Sequence, residues 1–391
     1  MMIQTSDNLN GSAEDQEIVL SVVLPALNEE KTIEVCIQKI QQVFSDRGIA
    51  GEIIVSDSST DKTAEISRKL GAIIVHPEKK GYGNAYLAGL ALARGRYIAI
   101  GDSDNTYDFL ELPKLLDALD KEGADMVMGS RLRGEILPGA MPWLHQYVGN
   151  PLLTWVLNRV FHIGISDAHS GFRIIRKDAL DRLNLKTGGM EFASEMIIEA
   201  AQTGLTITEV PIHYYPRVAP SKLESFSDGW RHVRFMLFYR PGPFLAVPGL
   251  LFAIFGISMM TFFFAKGDIE TSYLHSFILA SLAFIGGVQT MLMGIVIWVY
   301  SALYGYSERS GFIERFLDYH TLERGFIIGG VFILGGLIIG FDIIRQWVAS
   351  GYGHLFQIAN AVWSLAFLLI GVQIVFSTVL ISMMLLNCTS D

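Results

Sequence analysis

The sequence predicts two halves of different class, an α/β domain with a mostly parallel sheet followed by an all-α domain of four membrane-spanning helices. Up to about Pro241, apolar strand-like runs alternate with segments of helical spacing, which is typical of βαβ units. Beyond that residue four long apolar runs dominate, and each reaches the roughly 20 residues that a bilayer span needs. A chain of 391 residues is long enough for both domains.

The α/β domain is expected over residues 18–222, after a polar N-terminal tail at 1–17 that has no apolar core and is therefore no signal peptide. Strands are predicted at 18–24, 52–56, 73–75, 97–100 and 126–128, and helices at 30–43, 60–70, 84–94 and 110–119. In a sheet of this kind ligands bind at the carboxyl ends of the strands, so motifs at those positions are the candidates for function.

The membrane domain is expected over residues 243–391, with spans at about 244–265, 277–303, 326–344 and 358–386. The segment between the second and third spans carries Arg309, Arg315 and Arg324, whereas the loop after the first span carries only Lys266. Because cytoplasmic loops are enriched in basic residues, this segment is predicted to be cytoplasmic. With four spans, the N-terminal domain is then cytoplasmic as well.

Two further segments are predicted to lie against the bilayer. Residues 223–242 have apolar side chains at helical spacing beside arginines, which favours amphipathic interface helices; a surface helix packed on the sheet is the alternative. Residues 134–164 hold Trp143 and Trp155 among turn-forming residues, and aromatic side chains favour the membrane–water boundary. For residues 134–164 the alternative is domain core. In residues 223–242 the apolar positions at helical spacing are Phe226, Trp230, Val233 and Leu237.

Composition excludes several classes of protein. The net charge of −9 argues against nucleic-acid binding. The two cysteines, Cys36 and Cys388, lie at opposite ends of the chain and make neither a disulfide framework nor a cysteine zinc site. This usage fits a reducing compartment.

Acidic residues follow three of the predicted strands. Asn28 and Glu29 come after the first strand, Asp57 after the second, and Asp102 and Asp104 after the strand at 97–100. Two carboxylates on one face, with no cysteine or histidine pair, suit Mg²⁺ or Mn²⁺, which would neutralise a diphosphate. A solvated acidic loop is the alternative. Asp108 fits the cap of the following helix better than Asp104 does.

A basic, glycine-containing loop precedes the predicted helix at 84–94. Lys79, Lys80, Gly81 and Gly83 lie there without forming a Walker A motif. Such a loop at a helix N-terminus accommodates phosphate, and a plain turn is the alternative.

Eight motifs in a fixed order give a more specific signal: LPALNEE, VSDSSTDKT, KKGYGNAYLAGL, GDSDNTYDF, MGSRLRG, SDAHSGFRIIRKDAL, EFASEM and EVPIHYYPRVAPSKL. Over residues 18–240 the chain thereby resembles the family 2 glycosyltransferases. In particular it is similar to the polyprenyl-phosphate group, which includes dolichyl-phosphate mannose synthase and bactoprenol glucosyltransferase.

This resemblance implies a GT-A fold and inverting transfer of one hexose from a nucleotide-sugar to a polyprenyl or dolichyl phosphate. Asp57 would hold the base or ribose, and Asp102 and Asp104 would bind metal and diphosphate. The third metal contact of some members would fall on Thr106 here, which departs from the family pattern. The donor is left open between UDP-glucose-like sugars and GDP-mannose, with a lean to a UDP-hexose. The expected donor-site residues are Pro25, Leu27, Asn28, Glu29, Asp57, Lys80, Gly81, Asp102, Ser103 and Asp104.

A lipid phosphate acceptor is largely dianionic at neutral pH, so it needs cationic positioning more than a general base. Arginine binds phosphate oxygens through paired hydrogen bonds. The expected acceptor-phosphate residues are Arg131, Arg173, Arg217, Ser221 and Lys222.

Catalytic roles are expected for Asp104, Arg131 and Asp167. The resemblance places Asp167 near the acceptor as base or positioning group; the alternative is an aspartate that orients Arg173 or caps a turn. His169 is a candidate supporting residue, and Glu195 is expected to pair with one of the arginines.

Two other functions remain open. A processive polysaccharide synthase shares the catalytic fold, but its usual Q-x-x-R-W motif does not occur in this chain. A noncatalytic membrane scaffold is the other, against which the intact Asp57, Asp102 and Asp104 argue. The oligomeric state, including a homo-oligomer, is left open.

Overall fold

The computed structural model describes residues 17–218, 225–267, 269–306, 319–353 and 355–388. Of the predicted tail, only Glu17 lies within these ranges. The chain divides into two compact units, Met1–Val233 and Arg234–Asp391. Their boundary falls inside a helix, eleven residues beyond the predicted end of the α/β domain at 222.

The described part of the first unit contains a seven-stranded sheet in the order β3-β2-β1-β4-β6-β5-β7. All neighbouring strands are parallel except β6, which runs antiparallel to β4 and β5. The predicted α/β class with a mostly parallel sheet is therefore confirmed, in the GT-A-like arrangement that the resemblance implied. The strands are β1 Leu20–Ala26, β2 Gly51–Asp57, β3 Ile73–Val75, β4 Tyr97–Ile100, β5 Met126–Ile136, β6 Arg173–Arg176 and β7 Ile207–Tyr214.

Helices cover this sheet as the alternating pattern predicts. The first predicted helix begins later than expected, at Ile33, and ends at Arg47. Gly48 caps it in the left-handed conformation (φ 60°) that is usual at helix C-termini. The helices of this unit are α1 Ile33–Arg47, α2 Thr63–Lys69, α3 Tyr82–Leu90, α4 Leu112–Lys121, α5 Asn150–Phe161, α6 Lys177–Leu180, α7 Phe192–Gln202 and α8 Ser225–Tyr239.

The buried core and the strand register determine where the carboxyl ends of β1, β2 and β4 lie. Leu20, Val22, Val23 and Leu24 of β1 are fully buried, because an interior strand of a mostly parallel sheet is covered on both faces. The register pairs Ala26 with Asp57 and Val23 with Ile100. The residues that follow β1, β2 and β4 therefore emerge at one edge.

In the described part of the second unit, four helices are long and apolar enough to cross a bilayer, which confirms the four predicted runs. Glycines allow their backbones to approach closely: a Cβ on Gly249 would lie 2.3 Å from the backbone nitrogen of Met291. Arg309 and Arg315, used to predict orientation, lie outside the described residues. The helices are α9 Val247–Lys266, α10 Leu274–Leu303, α11 Tyr319–Ala349 and α12 Ile358–Cys388.

Helix α8 buries a different face from the one that its sequence suggests. Trp230 is 55% exposed, whereas the buried side chains lie about half a turn away. Of the predicted apolar face, Trp230 thus lies outside the protein core, Val233 and Leu237 are half-buried, and the side chain of Phe226 lies outside the described part of the chain. Insertion of this face into the membrane interface stays a prediction. The buried side chains are His232, Phe235, Met236 and Tyr239.

The segment 134–164 also leaves aromatic side chains at the surface. Trp143, Tyr147 and Trp155 are 67%, 61% and 62% exposed. The alternative of domain core thus does not hold for these three residues. Bilayer contact stays a prediction for them.

Candidate active site

The ends of β1 and β2 are joined by a dense set of hydrogen bonds. Asn28, at φ 54°, accepts at Oδ1 from the backbone nitrogen of Thr60 at 2.8 Å, and its own nitrogen donates to Ser59 Oγ at 2.7 Å. The backbone nitrogen of Glu29 donates to Thr63 Oγ1. Asp57 ends β2 with its side chain 2% exposed and accepts from the nitrogen of Ser59. These contacts hold together the ends of β1 and β2, where the nucleotide is predicted to bind.

The Asp-Ser-Asp segment after β4 is fixed to β1. Ser103 Oγ donates to the carbonyl of Pro25 at 2.6 Å, while the carbonyl of Ser103 accepts from Thr32 Oγ1 at 2.9 Å. Leu27, two residues beyond Pro25, is 42% exposed. The structure thus brings the expected donor residues of β1, β2 and β4 together.

Asp102 and Asp104 have different partners. Tyr82 and Tyr86, one helical turn apart on α3, direct their hydroxyls to Asp102 Oδ1 at 3.0 and 3.3 Å. Asp104 Oδ1 accepts from the nitrogen and the hydroxyl of Thr106, at 3.1 and 2.6 Å. Thr106, which stands where some family members have a third metal contact, therefore orients Asp104. Asp108 caps the turn Phe109–Glu111 through the nitrogen of Leu110, as preferred over Asp104.

The two carboxylates form a site that favours a cation. Burial, and after it the charge of Asp104, raises the pKa of Asp102 to about 6. Within the described ranges no group of three metal-ligating side chains gathers, so the protein offers these two carboxylates and a diphosphate would complete the shell. Mg²⁺ characteristically binds through one or two carboxylates plus substrate phosphates. The donor set fits a divalent cation.

The loop before α3 is closely packed against residues 187–188. Lys80 is exposed, and its carbonyl accepts from Asn84 Nδ2. Gly81 has φ 144°, and a Cβ there would lie 2.2 Å from the carbonyl oxygen of Gly188. Only glycine suits this position, because both the backbone angle and the neighbouring backbone exclude a side chain.

We expect Gly81→Ala to displace the loop and to raise the KM for the nucleotide-sugar by about tenfold, with a loss of stability of roughly 1–3 kcal/mol. Steady-state kinetics and thermal unfolding of the purified full chain measure both effects. Gly229→Ala is the control, because a Cβ on Gly229 meets nothing within 4 Å. An unchanged KM in Gly81→Ala would separate this loop from donor binding.

Arg131 and Asp167 form a buried ion pair. Arg131 Nε and Nη2 donate to the two carboxylate oxygens of Asp167, each at 2.8 Å. The backbone nitrogen of Arg131 also donates to Asp167 Oδ2, at 3.1 Å. Burial alone lowers the pKa of Arg131, but Asp167 holds it well above its ordinary value. The guanidinium also lies over the ring of Tyr214, at 5.1 Å from its centroid. Asp167 thus orients Arg131, not Arg173 as the alternative had it.

Arg173 occupies a position that argues against its predicted phosphate role. It is 1% exposed, and its three nitrogens donate to the carbonyls of Ser170, Ala193 and Ala168. Because all three guanidinium nitrogens donate to backbone carbonyls, Arg173 stabilises the buried side of the 168–170 loop. Glu195 likewise differs from its expected arginine pairing, because its carboxylate accepts from Lys186 and Thr187.

Arg217 reaches the cation site. Its Nη2 lies 2.8 Å from Asp104 Oδ2 and 3.6 Å from Glu29 Oε1. The sequence therefore located a basic residue at the site, but not its contact with Asp104. Ser221 and Lys222, the other expected acceptor residues, lie outside the described residues.

His169 lies in the same loop as Asp167. Its ring meets that of His232 edge to face at 4.6 Å between centroids, and both ring nitrogens are buried without a hydrogen bond among the described residues. Burial, with the positive charges nearby, lowers the pKa of His169 well below its ordinary value. Both effects favour the neutral form of its imidazole.

Comparison with known proteins identifies the family. Residues 21–183 match the model of glycosyl transferase family 2, and residues 295–385 match the family 2 C-terminal transmembrane region. The low-salt glycan biosynthesis hexosyltransferase Agl6 of Haloferax volcanii is 46% identical over 93% of this chain and 88% of its own length. The dolichyl-phosphate hexose transferase of the same organism is 32% identical over 54% of this chain and 89% of its own length.

Among solved structures, glucosyl-3-phosphoglycerate synthase from Mycobacterium tuberculosis, in complex with Mn²⁺, UDP and glucosyl-3-phosphoglycerate, is 27% identical with a TM-score of 0.47. That similarity covers 56% of this chain and 78% of the synthase. The two family models, together with the near-full-length relative, establish the classification that the ordered motifs implied: this chain is a membrane protein that belongs to glycosyltransferase family 2.

Proposed function

We propose that the protein transfers a single hexose from a nucleotide-sugar, with inversion, to a polyprenyl or dolichyl phosphate. The observation that carries the proposal is that basic groups surround the carboxylate pair: Arg217 contacts Asp104 at 2.8 Å, and the charge of the buried Arg131 acts on Asp102. A membrane-embedded phosphate acceptor explains why such an edge belongs to a chain with four spans. The relative named as a dolichyl-phosphate hexose transferase supports this choice of acceptor.

The donor half of the site consists of the ends of β1, β2 and β4. Asp57 would hold the base or ribose, and the loop at Lys80 and Gly81 would hold the diphosphate. Asp102 and Asp104 would hold Mg²⁺ or Mn²⁺, which supplies charge neutralisation for the departing nucleoside diphosphate. The tyrosine hydroxyls on Asp102 and Thr106 on Asp104 fix the carboxylates, so little reorganisation is needed during reaction.

The acceptor half needs cations more than a base. A phosphate monoester with a second pKa near 6 is already ionised at neutral pH, so its oxygen can attack the anomeric carbon without losing a proton to the protein. Arg131 and Arg217 would position that oxygen. Asp167 accepts two hydrogen bonds from the Arg131 guanidinium, which favours a positioning role over that of a base.

An acceptor comparison tests this proposal. Purified full-length protein with Mn²⁺ is offered labelled UDP-hexoses and GDP-mannose, together with either polyprenyl phosphate or the matching polyprenol. We expect turnover with the phosphate and at least about a hundredfold less with the alcohol, which lacks the charge that the arginines bind. Equal use of both acceptors, or a polymeric product, would contradict the proposal.

We also infer that the catalytic unit faces the cytoplasm, from the basic segment that includes Arg324. The same assay in sealed vesicles of known sidedness tests this. Nucleotide-sugars do not cross the bilayer, so turnover is expected only where the cytoplasmic face is outward. Turnover confined to vesicles of the opposite sidedness would reverse the orientation.

A further inference from the structure

Arg217 contacts the carboxylate pair proposed to hold the cation. Its Nη2 contacts Asp104 Oδ2 at 2.8 Å, with Glu29 Oε1 at 3.6 Å. Its Nε is buried and has no hydrogen-bond partner among the described residues. A guanidinium with an unused buried donor is incompletely satisfied in this position, so a ligand with more acceptor oxygens would bind it better.

Asp104 has little capacity left for a second cation while Arg217 is there. Thr106 uses Oδ1 twice, and Arg217 uses Oδ2. A divalent ion on the same carboxylate would lie within a few ångströms of the guanidinium, and like charges at such distances in a partly buried site repel strongly. Arg217 and a divalent cation therefore compete for Asp104.

The backbone around Arg217 is tied to the Asp104 loop. Tyr214 forms a β-bridge with Tyr107, and the nitrogen of Tyr215 donates to the carbonyl of Thr106 at 2.9 Å. Arg217 follows two residues later, with its side chain 24% exposed. Its side chain can thus leave Asp104 while the strand stays in place.

We propose that Arg217 is a positioning residue that exchanges Asp104 for the phosphate of the acceptor when the cation and the nucleotide diphosphate occupy the site. The exchange makes binding ordered: cation and donor first, then the phosphate acceptor, which finds Arg217 released only in the loaded protein. It also prevents the acceptor from being held productively when no donor is present. This inference rests on the proposed function.

Binding of Mn²⁺ alone tests the competition without any turnover. The full chain in nanodiscs is titrated with Mn²⁺ and the free ion is followed by electron paramagnetic resonance, for the wild type, Arg217→Gln and Arg133→Gln. The control Arg133 is exposed and pairs with Glu209 at 3.6 Å. We expect Arg217→Gln to bind Mn²⁺ about tenfold more tightly and the control to match the wild type. Unchanged or weaker Mn²⁺ binding in Arg217→Gln overturns the competition.

Acceptor binding tests the exchange. Polyprenyl phosphate should bind the wild type several-fold more tightly when Mn²⁺ and the nucleoside diphosphate of the donor that supports turnover, UDP or GDP, are present, and this dependence should disappear in Arg217→Gln. A dependence that persists in the variant overturns the exchange. Failure of the transferase proposal is recognised separately, by wild-type protein that forms no lipid-linked sugar whatever the Mn²⁺ titrations show.

Discussion

Replacing Asp104 by asparagine should reduce turnover by about a thousandfold, because the substitution removes one of the two carboxylate charges that we propose hold the divalent ion on the diphosphate. Asparagine preserves the shape of the side chain and an acceptor for Thr106, so the fold should persist. Steady-state rates at saturating Mn²⁺, together with the Mn²⁺ binding isotherm, measure the effect.

Asp108→Asn is the matched control, since Asp108 lies in the same loop and caps a helical turn, a role that asparagine fills equally well. Its turnover should stay near that of the wild type. If Asp104→Asn retained near-normal activity, or bound Mn²⁺ like the wild type, the assignment of the cation to this carboxylate would be wrong.

Replacing Asp167 by asparagine should have the largest effect on stability. The change leaves the Arg131 guanidinium buried without its counter-charge, and breaking a buried ion pair typically costs about 3–5 kcal/mol. We expect the apparent Tm of the full chain to fall by roughly 5–10 °C, and turnover to fall with it. Thermal unfolding and kinetics on the same preparations give both values.

Two further variants separate charge pairing from catalysis. The double change Arg131→Met with Asp167→Leu removes both charges and should recover much of the Tm but none of the turnover. The surface pair of Arg47 with Asp117 is the control, because Asp117→Asn at such an exposed pair should cost less than about 1 kcal/mol. If Asp167→Asn lost all activity with an unchanged Tm, Asp167 would act as a base and not through Arg131.

The strand-end residues were predictable because topology determines where they lie. Consecutive parallel strands have their carboxyl ends at one edge, so Asn28, Asp57 and Asp102 had to converge once the alternation was recognised. The four apolar helices were predictable for a similar reason, since bilayer thickness sets their length. In both cases the sequence of each segment by itself, as strand–helix alternation or as an apolar run of bilayer length, is enough to predict where the segment lies.

Side-chain partners were not predictable in the same way. Arg131 and Asp167 are 36 residues apart and meet only because β6 inserts antiparallel between β4 and β5, a strand that the alternating pattern did not reveal. Arg173 reads as a phosphate ligand in sequence, yet it heads that same strand and is enclosed by carbonyls. The tyrosines at Asp102 carried one usable signal, their spacing of four residues on a helix.

Helix α8 shows why an amphipathic pattern does not identify the buried face. Trp230 and Leu237 suggested a stripe, but the opposite side, with Phe235 and Met236, is the buried one. Both faces carry apolar residues, so the pattern alone leaves their roles undecided. An exposed Trp230 near arginines is what a membrane interface would stabilise.

Analysis of the lipid product tests the central proposal most directly. Purified protein is incubated with Mn²⁺, the nucleotide-sugar that supports turnover and a defined polyprenyl phosphate, and the product is examined by mass spectrometry and by NMR of its anomeric carbon. The proposal predicts one hexose per lipid phosphate, with the anomeric configuration inverted relative to the donor. A lipid carrying several sugars, a retained configuration, or a sugar attached elsewhere than to the phosphate would contradict it.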